Sequence, residues 1–225
     1  KIQPRDASDV LLHGCTNNTA DNYNSDASID DGSCQFSGAE CTVFISEIAE
    51  GSGNNKYLEL YNPTSSTVFL SQYTMANCSN GCDNPDALYL TDQFDFWTFS
   101  FPIDATIEPN GTYVIAHPSA DQSILDVADM TYYYLSNGDD AYAVATSDGV
   151  ILDEFGDLAE DDPGSEFNVC DVDGTANTSV IRDPGNDGEA DWTVSSAAAT
   201  CEWTVVAQSR DALDYSSVGN HTFTE

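Results

Sequence analysis

In "GCTNNTADNYNSDASIDDGSC", residues 14–34, Asn22, Asn24, Asp26, Ser28 and Asp30 stand at alternate positions and Asp31 follows directly. Alternating oxygen-bearing side chains are how calcium loops present ligands to one centre, and Ca2+ takes about six to eight hard oxygens from carboxylates, amide carbonyls and backbone carbonyls. The residue types suit that ion. The Asp-Gly pair, however, comes late for the glycine of such a loop, and no glutamate closes the site. The second reading is a disulfide-closed loop whose Asn and Asp side chains hydrogen-bond their own backbone. On either reading, oxygen atoms and a covalent clamp hold a stretch with almost no aliphatic side chains.

The clamp comes from the cysteines, of which the chain has seven. The simplest pairing joins Cys15 to Cys34, Cys78 to Cys82 around a Ser-Asn-Gly turn, and Cys170 to Cys201 around a Gly/Asp-rich segment. Cys41 is then left over, as a buried thiol or as a partner for another chain. A Cys34–Cys41 pair that strands Cys15 is the alternative. Five N-x-S/T sequons, at Asn17, Asn77, Asn110, Asn177 and Asn220, add covalent glycans to the expectation. Cysteines and sequons together point to an oxidising, extracellular compartment, hence to a secreted chain. Lys1 opens no basic-then-apolar leader, so the sequence reads as already processed.

Other chemistry is sparse. His13, His117 and His221 stand far apart and share no metal-ligand spacing, and there is no G-x-S-x-G elbow or Cys-His arrangement. "NGDD", Asn137–Asp140, could offer two carboxylates to a metal, but Asn-Gly between β-runs reads first as a hairpin turn. A hydrolase using paired carboxylates is the remaining enzymatic alternative; the expectation is no enzyme. With 39 Asp and Glu against 5 Lys and Arg, the formal charge is -34. That excludes nucleic acid, which demands clustered cations, and disfavours anionic membranes. No apolar run is long enough to insert into a bilayer.

The elements that must position these residues are β-strands. "TVFISEIAE", "KYLELYNP", "TVFLSQYTM", "WTFSFPI", "GTYVIAHP", "YAVATSDGVILDEFG", "DWTVSS" and "CEWTVVA" alternate with period two and are rich in β-branched and aromatic residues. Turn-forming Asn-Pro, Pro-Asn-Gly and Ser-Asp-Gly sets separate them. Only "SADQSILDVADM" suggests a helix, and a short one. Many short strands of this kind make a sandwich or barrel.

The run "FISEIAEGSGNNKYLELYNPTSSTVFLSQYTM" resembles the lamin-tail domain family in its bacterial, extracellular form. The resemblance continues in order through "IEPNGTYVIAHPSAD", "LSNGDDAYAVATSDGVILDEFGD", "DPGSEF", "SVIRDPG" and "EWTVVAQSRDALDYSSVGNHTF", covering roughly residues 42–224. It implies an immunoglobulin-like β-sandwich without catalytic residues of its own. The Cys170–Cys201 pair and the Cys78–Cys82 turn depart from the family pattern. Residues 14–34 also look like a small cysteine repeat of secreted microbial surface proteins, which implies an extracellular module and little more.

The expected organisation is therefore an extended arm (1–14), a small Cys/Asp/Asn-rich module (15–41) and an all-β, immunoglobulin-like sandwich (42–225). The leading functional expectation is a glycosylated subunit of an extracellular fibre or surface layer. In that reading Val10, Leu11 and Leu12 of the arm add a strand to a neighbour's open sheet edge, a head-to-tail contact that builds filaments. The alternative is an adhesion module for glycans or proteins, presenting aromatics such as Trp97, Tyr132, Tyr133 and Tyr134. Deleting residues 1–13 is expected to leave monomers in negative-stain images; filaments of unchanged length would rule the arm out.

Overall fold

The computed structural model describes residues 12–16, 23–29, 43–84, 87–90, 97–135, 137–160, 162–171, 174–208 and 214–224. The chain divides into two compact units, residues 1–40 and 41–225. In the first, backbone hydrogen bonds hold the polar stretch. The Leu12 carbonyl accepts from the N–H groups of Ser28 and Ile29 at 2.9 and 3.2 Å, and the Cys15 carbonyl accepts from Asn24 N–H at 2.9 Å. Leu12 is thus bonded within its own unit. Asn24 Oδ1 accepts from Asp26 N–H at 3.0 Å, an Asx turn of the kind that competes with metal ligation for the same oxygen. Cys15 is disulfide-bonded, which sets aside the pairing that stranded it. Val10, Leu11, Asn17, Asn22, Asp30, Asp31, Cys34 and Cys41 lie outside the described residues.

The second unit is all-β, as the strand pattern demands. Its strands are β1 (Phe44–Glu50), β2 (Lys56–Tyr61), β3 (Val68–Phe69), β4 (Tyr73–Cys78), β5 (Trp97–Phe99), β6 (Thr106–Ile107), β7 (Thr112–Ala116), β8 (Met130–Thr131), β9 (Ala141–Thr146), β10 (Ile151–Phe155), β11 (Thr178–Arg182) and β12 (Trp203–Ala207). A six-stranded sheet runs β12-β11-β1-β2-β7-β8, a four-stranded sheet β10-β9-β4-β5, and β3 pairs with β6. Pairing is antiparallel except for β7 with β8. The expected helix is α1 (Gln122–Leu125).

Two local expectations fail. "DWTVSS" is a helical turn, α2 (Trp192–Ser195): Asp191 caps it by accepting from Thr193 N–H at 2.9 Å, and that cap outweighs the strand preference of Trp, Thr and Val. "NGDD" is no hairpin, because it carries the chain from β8 in one sheet to β9 in the other.

Ile45, Ile48, Leu58, Leu60 and Ile115 of the larger sheet pack with Met75, Val144 and Phe155 of the smaller one to form the core. The opposite face of β1 and β2 is covered as well, since Tyr57, Ala49, Val114 and Ala116 pack with Ile124 and Val218. Every residue of β2 is therefore buried, Glu59 included. Glu59 stands opposite Glu47 in the β1–β2 register. Segment 214–224 caps both: Gly219 N–H donates to Glu59 Oε2 at 2.6 Å, and Ser217 Oγ donates to Glu47 Oε1 at 2.9 Å. Tyr57 donates to Glu47 and Ser46 to Glu59. This carboxyl pair is thus sealed and internally bonded, unlike the water-accessible pair that a glycosidase needs.

One ion pair joins the two sheets. Arg182, on β11, and Asp153, on β10, are both fully buried and meet through Nη2 at 2.7 and 2.9 Å. Asp153 also accepts from Ile45 N–H at 2.7 Å, and Arg182 Nε donates to the Ile45 carbonyl at 2.9 Å. A bulge between Ile45 and Glu47 interrupts the β1–β2 register at this point, and the β1–β11 register begins only at Glu47. The ion pair supplies the partners that Ile45's backbone needs. Trp203 stacks under the guanidinium at 4.1 Å, and Glu202 meets its Nη1.

Asp153→Ala leaves that guanidinium deeply buried with one flanking carboxylate; the expected loss is about 3–5 kcal/mol in urea denaturation. A second expectation concerns pH. Burial pushes Glu59 up to about 7 and Glu154 up to about 9 from 4.5, against hydrogen bonds from Ser46 and from Trp192 N–H respectively. Folded carboxyls raised in this way bind protons that the unfolded chain has released. Their stabilisation is complete below about pH 4.5 and lost as pH rises through 7 and then 9. Thermal midpoints should fall from pH 5 to pH 9, and Glu154→Gln should flatten the fall between pH 7 and 9.

Candidate binding groove

At the end of the sandwich where β2 and β9 begin and β4, β7 and β8 finish, the loops enclose an open groove of about 340 Å³. The β1–β2 turn brings Asn54 and Lys56, the residue after β7 is His117, and the segment after β8 brings Tyr133, Tyr134 and Asn137. Asp140 enters from the start of β9.

The aromatic wall is graded. Phe99 and Tyr132 stack at 4.2 Å, and this anchors the run of three tyrosines to the four-stranded sheet. Tyr134 leans on Tyr132 edge-on, and Tyr133 meets Tyr134 at 77° with ring centres 5.4 Å apart. The two form a corner rather than a stack. Tyr133 is 65% and Tyr134 62% exposed, which is costly for large rings unless something covers them.

The polar wall is held rigidly. Lys56 Nζ donates to Asn137 Oδ1 at 2.7 Å and pairs with Glu50 at 3.3 Å. His117 Nδ1 accepts from Ser119 N–H at 3.1 Å, so the proton of the neutral ring sits on Nε2. Burial, with the Lys56 charge added, lowers this histidine's pKa and keeps it neutral at physiological pH. The His117 ring lies 5.1 Å from that of Tyr133. Asp140 Oδ1 accepts from Asn80 N–H at 2.9 Å; burial raises its pKa, against that bond.

Asn80 is held in place by the Cys78–Cys82 disulfide, which closes the turn containing Asn80 at φ 60° and Gly81 at φ 99°. On the opposite side Gly138 adopts φ 103°, and a Cβ there would meet Ala176 Cβ at 2.7 Å, so only glycine lets this loop pass. Asn55 and Asp121 exchange two hydrogen bonds, at 2.8 and 2.7 Å, which fixes the β1–β2 turn.

The structure thus brings together Tyr133, Tyr134, His117, Asn137 and Asp140, which the sequence offered as unrelated features. Lys56 and Asn54 carried no signal at all. Tyr132 is packed inward, and the Trp97 side chain lies outside the described residues. Cys170 pairs with Cys201 at a Cα separation of 5.4 Å, away from the groove lining. Among the sequons, Asn110, Asn177 and Asn220 are exposed. Asn77 is wholly buried in β4, with its Nδ2 donating to the Ala141 carbonyl, so the folded chain has no room for a glycan there. Among the described residues no three His, Cys, Asp or Glu side chains gather as a metal site, and no helix is long and apolar enough to cross a membrane.

Residues 37–159 match the model of the Lamin Tail Domain. No curated protein matches the chain in sequence. Among solved structures, a DUF4876 family protein from Bacteroides thetaiotaomicron is similar at 11% identity with a TM-score of 0.42, over 65% of this chain and 64% of that one. The chain therefore spans less than two thirds of that protein's length.

Proposed function

Because the chain belongs to the Lamin Tail Domain family, whose fold is immunoglobulin-like and non-enzymatic, we propose that it is a secreted, non-catalytic binding module that works through this groove. One observation carries the reading: two adjacent tyrosines stand largely bare over a cleft whose polar groups are already positioned by backbone and disulfide. Preformed clefts with apolar walls and a few fixed polar groups are the usual form of small-ligand sites. Disulfides suit an oxidising compartment, and exposed Asn110, Asn177 and Asn220 leave room for glycans. The adhesion alternative is thereby preferred to the fibre subunit, because Leu12, the one described residue of the arm triplet, is bonded to its own unit. Calcium in residues 22–31 stays a separate proposal, independent of the groove.

Glycan and peptide arrays probed with the intact chain test this. Signal is expected from the native protein and should drop about tenfold or more in a Tyr133→Ala/Tyr134→Ala variant of unchanged thermal midpoint. Signal indifferent to both tyrosines, or none at all, overturns the groove.

A further inference from the structure

We infer that the groove takes a neutral sugar ring, with one pyranose face laid on the Tyr133–Tyr134 corner and its hydroxyls shared between His117 Nε2–H and the Asp140 carboxylate. This rests on the groove being the binding site and adds the chemistry of what it binds. A pyranose has an apolar face of C–H groups and a rim of hydroxyls that both donate and accept. The groove offers the complement: two largely exposed tyrosine rings beside one donor and one acceptor of fixed direction. A carboxylate accepts from hydroxyls, and a neutral imidazole N–H donates to them.

Charge excludes the anionic members of the class. Among the described residues of the lining Lys56 is the only lysine or arginine, and its ammonium is already held by Glu50 at 3.3 Å and Asn137 at 2.7 Å. Asp140 adds a negative charge within the cleft, and the whole chain carries -34. An acidic polysaccharide would approach against this field and find no guanidinium fork to receive its carboxylates. The volume, about 340 Å³, lies at the low end for small-ligand sites and suits a chain end or a short stretch of saccharide.

The test is an NMR titration of the intact chain with maltohexaose, cellohexaose, mannohexaose and any neutral glycan found on the arrays, set against hexagalacturonate. At least one neutral sugar should give saturable shifts at Tyr133, Tyr134 and His117. Tyr133→Ala should weaken it about tenfold, and His117→Ala should weaken it without unfolding the chain. Between about 0.05 and 0.3 M salt the affinity should change less than about twofold, since an uncharged ligand has no field to screen. Shifts from hexagalacturonate that fade with salt, or a tyrosine-dependent array signal from peptides alone, overturn the sugar assignment while leaving the groove as the site. No shift from any neutral sugar overturns it as well. Array binding that ignores both tyrosines sinks the groove reading itself.

Discussion

Arg182 and Asp153 solve a problem that a bulge creates in an interior strand of the larger sheet. Where β1 bulges between Ile45 and Glu47, the ladder to β11 has not yet begun, and Ile45 would be left with an unpaired amide and carbonyl inside the protein. Both are met by one ion pair whose members come from different sheets. Burying such a pair costs desolvation, and good geometry with further hydrogen bonds is what compensates. Here Asp153 accepts from Ile45 and Glu189 as well as from Arg182, and Arg182 donates also to the Asp187 carbonyl. The aromatic cluster of Phe155, Trp192 and Trp203 then closes over it. With the apolar core, this contact links the two sheets and so the loops at their ends.

The groove depends on that link because its walls come from both sheets. His117 and the Tyr133–Tyr134 segment follow strands of the larger sheet, whereas Asp140 and the Cys78–Cys82 turn belong to the smaller one. The short disulfide orients an amide toward a carboxylate in the cleft. Of the two described cysteine pairs, the short one is thus the one that shapes the candidate site. The Cys170–Cys201 pair instead ties the loop before β11 to the segment leading into β12, with Cys170 N–H also donating to the Ser196 carbonyl at 2.7 Å.

What could be read in the sequence was local and periodic. "TVFISEIAE", "KYLELYNP" and "GTYVIAHP" alternate visibly, so β1, β2 and β7 were legible, as were α1 and two of the cysteine pairs. "DWTVSS" misled because three strand-forming residues sit beside an aspartate whose capping role shows only once the helix is present. The partners of Arg182 and Glu59 were out of reach for another reason. They lie 29 and 160 residues away, and no local pattern encodes a meeting across that span. Tyr132, Tyr133 and Tyr134 form a run without periodicity. That one is packed and two are bare depends on the stack with Phe99, which comes from another strand.

The segment that caps Glu47 and Glu59 has a bearing on how the chain comes to be made. Ser217 and Gly219 reach back 170 and 160 residues to strands near the start of the sandwich. Until they emerge during synthesis, the face of β1 and β2 that bears two carboxyls and Tyr57 lacks part of its cover. Such late, long-range closure makes for slow folding. The sandwich therefore gains its cover over Glu47 and Glu59 only after residues 214–224 have been made and have docked, so both carboxyls stay open to water until that last step.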